Sequence, residues 1–111
     1  MNKTDFDYVA LTQALVKCPS VTPHDKGALQ VVEDYLKDLG FECTRLPFSE
    51  DGFNDIDNLF AKIGETGKHL AFAGHTDVVP AGNEGSWKYP PFSATIVDGK
   101  IYGRGTEDMK G

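Results

Sequence analysis

Apolar positions recur at helical spacing near the amino end and then give way to short strand-like runs. Phe6, Val9, Ala10, Leu11, Ala14 and Leu15 predict a helix over residues 5–17. Pro19 ends it, because the residue before a proline avoids the helical region. A second helix is expected from Thr22-Pro23-His24-Asp25, with Thr22 as cap, Pro23 in the first turn and Asp25 at the positive end. Ala28, Leu29, Val32, Tyr35, Leu36 and Leu39 form its apolar stripe, and Gly40 is its stop.

Strands are expected at residues 41–46 and 58–63, separated by a polar loop and followed by the turn Gly64-Glu65-Thr66-Gly67. His69-Leu70-Ala71-Phe72-Ala73 is almost wholly apolar, the pattern of a central strand covered on both faces. Residues 80–92 are rich in Gly and Pro and read as an ordered surface loop. Residues 94–97 and 100–102 flank Asp98-Gly99, a two-residue hairpin signal. Two helices followed by strands predict a layered α/β or α+β arrangement.

The 111 residues suffice for one small domain with a modest core. A net charge of −6, with no basic run, argues against nucleic-acid binding. No apolar stretch reaches membrane-span length, and Met1-Asn2-Lys3-Thr4-Asp5 precedes no apolar signal region. Cys18 and Cys43 are too few for a disulfide scaffold and predict reduced core thiols in a cytoplasmic protein.

Candidate chemistry lies in two segments. In Gly74-His75-Thr76-Asp77, the histidine follows the apolar run, at the strand end where open α/β sheets bind ligands. On extended backbone His75 and Asp77 share a face. One imidazole nitrogen can then ligate a metal while the other donates to the carboxylate, which fixes the tautomer. The same spacing also describes a strand-end histidine simply bonded to an acid. In Gly103-Arg104-Gly105-Thr106-Glu107-Asp108-Met109-Lys110-Gly111, the glycines allow a sharp turn. Asp108 can bridge two metal ions, with Glu107 its competitor on chemistry alone. Arg104 and Lys110 are open to a structural salt bridge or to solvent. His24 and His69 have no ligand spacing and read as surface or structural residues. Trp87, Tyr89 and Phe92 suit packing of the long loop. No serine has a nucleophile-elbow context, and no dinucleotide or P-loop pattern occurs.

Taken in order, Gly74-His75-Thr76-Asp77-Val78-Val79-Pro80, the Trp87 to Phe92 stretch, Asp98-Gly99 and Gly103-Arg104-Gly105 through Asp108-Met109-Lys110-Gly111 resemble the amino-terminal part of the dinuclear zinc aminoacylase and carboxypeptidase family. The resemblance runs over nearly the whole chain, including Pro19-Ser20-Val21-Thr22-Pro23 and Leu39-Gly40-Phe41. It implies the start of a three-layer αβα catalytic domain with a mixed sheet, residues 1–111 being a truncated part of it. His75 and Asp108 are implied as metal ligands, Asp108 bridging, and Asp77 as the catalytic-site carboxylate orienting His75. The peptide after Asp108 is expected to be cis. Two zinc ions, or cobalt in their place, are implied for the complete site.

The implied activity is hydrolysis of the amide of N-succinyl-LL-2,6-diaminopimelate, a small-molecule substrate, in lysine and cell-wall synthesis. The parent enzyme is implied to be a cytoplasmic homodimer with no nucleic-acid or membrane partner. Thr106-Glu107 departs from the small-residue pair expected there. Deacetylation of acetylornithine is the alternative within the family, and a non-catalytic remnant or binding module the alternative outside it. The family's glutamate base, remaining ligands and lid domain fall downstream of the stretch compared, so the 111 residues alone are expected to be inactive.

Overall fold

Asp7 decides where the first helix begins. Its carboxylate accepts from the Ala10 amide at 2.9 Å, satisfying one of the free donors of the first turn. The computed structural model describes residues 6–111, so the predicted first helical residue, Asp5, lies outside the described residues. Helix α1 spans Tyr8–Val16 and α2 spans Ala28–Asp38. Strands β1 (Glu42–Arg45) and β2 (Leu59–Lys62) pair antiparallel, with Cys43 opposite Ala61. A 3-10 turn, Glu84–Ser86, interrupts the long loop. Strands β3 (Thr95–Val97) and β4 (Lys100–Tyr102) form the predicted hairpin, with both turn residues, Asp98 and Gly99, at positive φ.

The second helix starts later than its sequence suggests. Thr22 does not cap it: its hydroxyl is engaged by Asp77 Oδ2, and Gly27 stands at the start of the helix. Asp25 receives the Gly27 and Leu29 amides instead, both at 3.1 Å, and Gly27 at φ 88° turns the chain into the helix. The stop is where it was expected. Gly40 adopts φ 93°, and the Phe41 amide closes back onto the Leu36 carbonyl at 2.9 Å.

Residues 69–73 are not a paired central strand among the described residues. Leu70 and Phe72 are 82% and 92% exposed. The apolar pattern signals burial on both faces, and the described residues supply neither neighbour. Further on, this segment is joined to the chain after α1 by a parallel bridge between Val21 and Val78. The Val78 amide donates to the Ser20 carbonyl at 2.9 Å, and the Ser20 hydroxyl donates to the Thr76 carbonyl at 2.7 Å.

The buried apolar residues are few: Leu15, Val16, Ala28, Val78 and Ala94. Val16 and Val78 among them lie against the turn at Gly103 and Gly105. Gly103 lies so close to α1 that a Cβ there would stand 2.4 Å from Val16 Cγ1. α2 packs against α1 and the β1–β2 pair, and Phe6 meets the Tyr35 ring edge-on at 5.7 Å. Cys18 and Cys43 are free and half-buried rather than in the core.

Candidate functional site

Residues 74–78 run extended into the Val21–Val78 bridge, and this conformation brings His75 and Asp77 together. His75 Nδ1 lies 3.1 Å from Asp77 Oδ1 and 3.0 Å from the Asp77 carbonyl oxygen. Two acceptors on one nitrogen favour the tautomer with its proton there. Nε2 faces Asp108 Oδ1 at 3.1 Å, a hydrogen bond when the ring is doubly protonated, and it offers a lone pair when the ring is neutral. The Asp77 carbonyl on Nδ1, reinforced by the charges of Asp108 and Asp77, raises the His75 pKa above its ordinary value.

Asp108 reaches His75 across 33 positions of sequence. The turn that carries it is built from the inside. Gly105 takes φ 89°, the Lys110 amide donates to its carbonyl at 2.8 Å, and the Thr106 hydroxyl donates to the Gly103 carbonyl at 3.0 Å. The Asp108–Met109 peptide is cis, as expected. Met109 Sδ accepts from the His75 amide at 3.4 Å and packs over Gly74. Asp108 therefore holds the position beside His75, and Glu107 only lines the cleft.

Lys110 is neither salt-bridged nor solvated. It is 4% exposed, and its Nζ donates to the carbonyls of Leu15 and Cys18, each at 2.9 Å, at the negative end of α1. Burial holds its pKa below the ordinary lysine value. Arg104 lies over the Trp87 ring at 5.2 Å, with a buried Nε that has no hydrogen-bond partner among the described residues. Trp87 is pinned in turn through Nε1 to the Ala81 carbonyl at 3.0 Å, and Tyr89 packs on Tyr102. His69 and His24 are exposed, as their spacing suggested.

A cleft of about 330 Å³ opens over these groups, lined among others by Thr22, His75, Asp77, Arg104, Thr106 and Asp108. Thr22 was not anticipated there. Its hydroxyl donates a short hydrogen bond to Asp77 Oδ2. Ser20 and Thr22 alternate around Val21, and a period-two pattern bracketed by Pro19 and Pro23 was the available signal that this is a strand-like segment.

His75 and Asp108 fit the role of metal ligands: one imidazole nitrogen is pinned by its neighbour and the other faces a carboxylate. No group of three or more His, Cys, Asp or Glu residues able to hold a metal ion occurs among the described residues. A catalytic zinc site takes three protein ligands, so the pair by itself falls short of such a set.

The α/β segment carries a histidine–aspartate pair facing a second aspartate at a glycine-rich turn. Residues 71–111 match the profile of Peptidase family M20/M25/M40. More particularly, the chain is similar to succinyl-diaminopimelate desuccinylases. It is 59% identical to that of Nitrobacter hamburgensis and 54% identical to that of Rhodospirillum centenum, each over 95% of this chain. The chain spans about 27% of the length of these curated relatives. Its fold matches the crystal structure of human carnosine dipeptidase 1 with a TM-score of 0.81 and 27% identity, over 93% of this chain and 25% of that one. The α/β expectation holds. Among the described residues no helix is long and apolar enough to cross a membrane.

Proposed function

We propose that residues 1–111 are part of the catalytic domain of a zinc-dependent amidohydrolase that cleaves N-succinyl-LL-2,6-diaminopimelate into succinate and LL-2,6-diaminopimelate. The observation that carries this reading is His75 held between Asp77 and Asp108. The similarity to proteins named for that desuccinylation supports the substrate.

In this reading His75 and Asp108 would hold metal. Two zinc ions complete the site, with cobalt able to replace them. The chemistry such ions supply when bound is acidification of a water molecule and polarisation of the amide carbonyl. Asp77 holds the His75 tautomer and sharpens its basicity towards metal. The cleft beside Arg104 and Thr106 admits a small molecule.

The proposal includes further ligands and a proton-transferring base from a longer polypeptide, since two donors fall short of a complete site. The 111 residues alone are therefore expected to be inactive. The same reading assigns the protein to the cytoplasm and its complete form to a homodimer.

The test is hydrolysis of N-succinyl-diaminopimelate and of N-acetylornithine by the native polypeptide carrying this segment, followed by amine release. Preference for the succinylated compound supports the proposal, and preference for the acetylated one replaces it with a deacetylase. H75A and D108A are expected to abolish metal retention and turnover together. D77N is expected to cost about 10- to 100-fold in metal affinity. Retention of full metal content by H75A would remove His75 from the site.

A further inference from the structure

Asp77 has two carboxylate oxygens, and both are engaged. Oδ1 faces His75 Nδ1 at 3.1 Å, and Oδ2 accepts the Thr22 hydroxyl. We propose that Thr22 is a positioning residue for the metal centre, locking the rotation of the Asp77 carboxylate and, through it, the ring of His75. The inference rests on the reading of His75 as a metal ligand.

The physical argument begins with the torsion. The last torsion of an aspartate is broad and roughly two-fold, so one hydrogen bond leaves the carboxylate free to swing. A donor on the second oxygen removes that freedom. Thr22 is suited to the task because the bridge to Val78 pins the backbone on which it sits. Its amide donates to the Val78 carbonyl at 3.1 Å, and Val78 donates back to Ser20 at 2.9 Å. The hydroxyl has one proton and two acceptors within reach, Asp77 Oδ2 and the Val78 carbonyl at 3.5 Å. The carboxylate is nearer and charged, so it takes the proton. The hydroxyl thus acts through 55 positions of sequence on a residue two places from His75.

Thr22 touches no reacting atom in this arrangement. Its effect lies in how well His75 is held ready for metal. Outer-shell partners of metal-binding histidines typically change metal affinity by about 10- to 100-fold. Thr22 stands one bond further out and at an exposed position, so the lower end of that range is expected.

The experiment measures zinc affinity of the native polypeptide by chelator competition, for the parent, T22V, T22S, D77A, T22V/D77A and H75A. T22V is expected to weaken zinc binding about tenfold, and T22S to restore it. In the D77A background T22V is expected to cost nothing further, because the carboxylate it acts through is gone. T22A, smaller at an exposed site, removes the same hydroxyl and stands in if T22V misfolds. Parental affinity in T22V and T22A overturns the proposal. So does failure of T22S to restore binding, or an equal loss with and without Asp77. Undiminished zinc binding by H75A overturns the metal-centre reading itself and this inference with it, so the two failures are distinguishable.

Discussion

Lys110 carries its ammonium group into the interior, where two helix-end carbonyls from Leu15 and Cys18 replace water. The ammonium adds a charged donor to carbonyls that also accept the Cys18 and Ser20 amides, at 3.1 and 2.7 Å. K110M keeps most of the volume and removes the charged donor. It is expected to destabilise the native polypeptide by about 1.5–3 kcal/mol, the worth of a hydrogen bond to a charged group, as read from chemical denaturation. A change within experimental error would show that the two amides satisfy the carbonyls unaided. At this scale the sequence disclosed contacts between near neighbours. The His75–Asp77 pair follows from a two-residue spacing on extended backbone. Asp108 and Glu107 were rival candidates on chemistry alone, and only the resemblance chose Asp108, because its partner is 33 residues away. Thr22 and Lys110 stayed hidden, as their partners lie 55 and 95 residues away and neither spacing nor composition encodes such distances.

The turn at Gly103 brings the second motif against α1. In G103A the new methyl would meet Val16 Cγ1 at 2.4 Å and the Pro91 carbonyl at 3.1 Å. Overpacking of this kind costs about 1–3 kcal/mol, and a lowered melting temperature is the expected readout. A second device joins α2 to the β1–β2 pair. Glu33 bonds Lys37 at 2.8 Å and Arg45 at 2.9 Å, and Arg45 also bonds Asp57. Lys37, and then Arg45, hold the Glu33 carboxyl below the usual carboxylate range. Its contribution is present above the unfolded-state pKa and is lost as pH falls through the lower folded-state value. The melting temperature of the parent is therefore expected to fall more steeply on acidification than that of E33Q. Parallel slopes would show that the ion pairs add nothing. Elements closed by local chemistry were legible: the Gly40 stop, the Asp98-Gly99 hairpin and both strands of the first pair. The start of α2 was not, because Thr22, a good cap by type, is engaged by Val78 and Asp77. The run at residues 69–73 was legible as apolar but not in what it pairs with.

The described chain is thin, extending 50 × 45 × 21 Å, with a radius of gyration of 15.7 Å. A compact domain of about 100 residues has a radius near 13 Å. Leu70 and Phe72 are exposed on one side, and Phe48, Phe53 and Phe60 elsewhere. The 111 residues expressed alone are therefore expected to bind anilinonaphthalene sulfonate and to scatter light as concentration rises. A monodisperse sample without dye binding would mean that this apolar surface rearranges on its own. The clasp between Lys110 and the end of α1 also bears on synthesis. It joins positions 95 residues apart, a separation that ribosomes cover in roughly 5–20 s at about 5–20 residues per second. For most of that interval α1, Ser20 and Thr22 have been synthesised while Asp108 and Lys110 have not been translated. The two halves of the site thus meet only after the intervening loops have emerged, and a nascent chain stalled before codon 108 presents the first half without its partner.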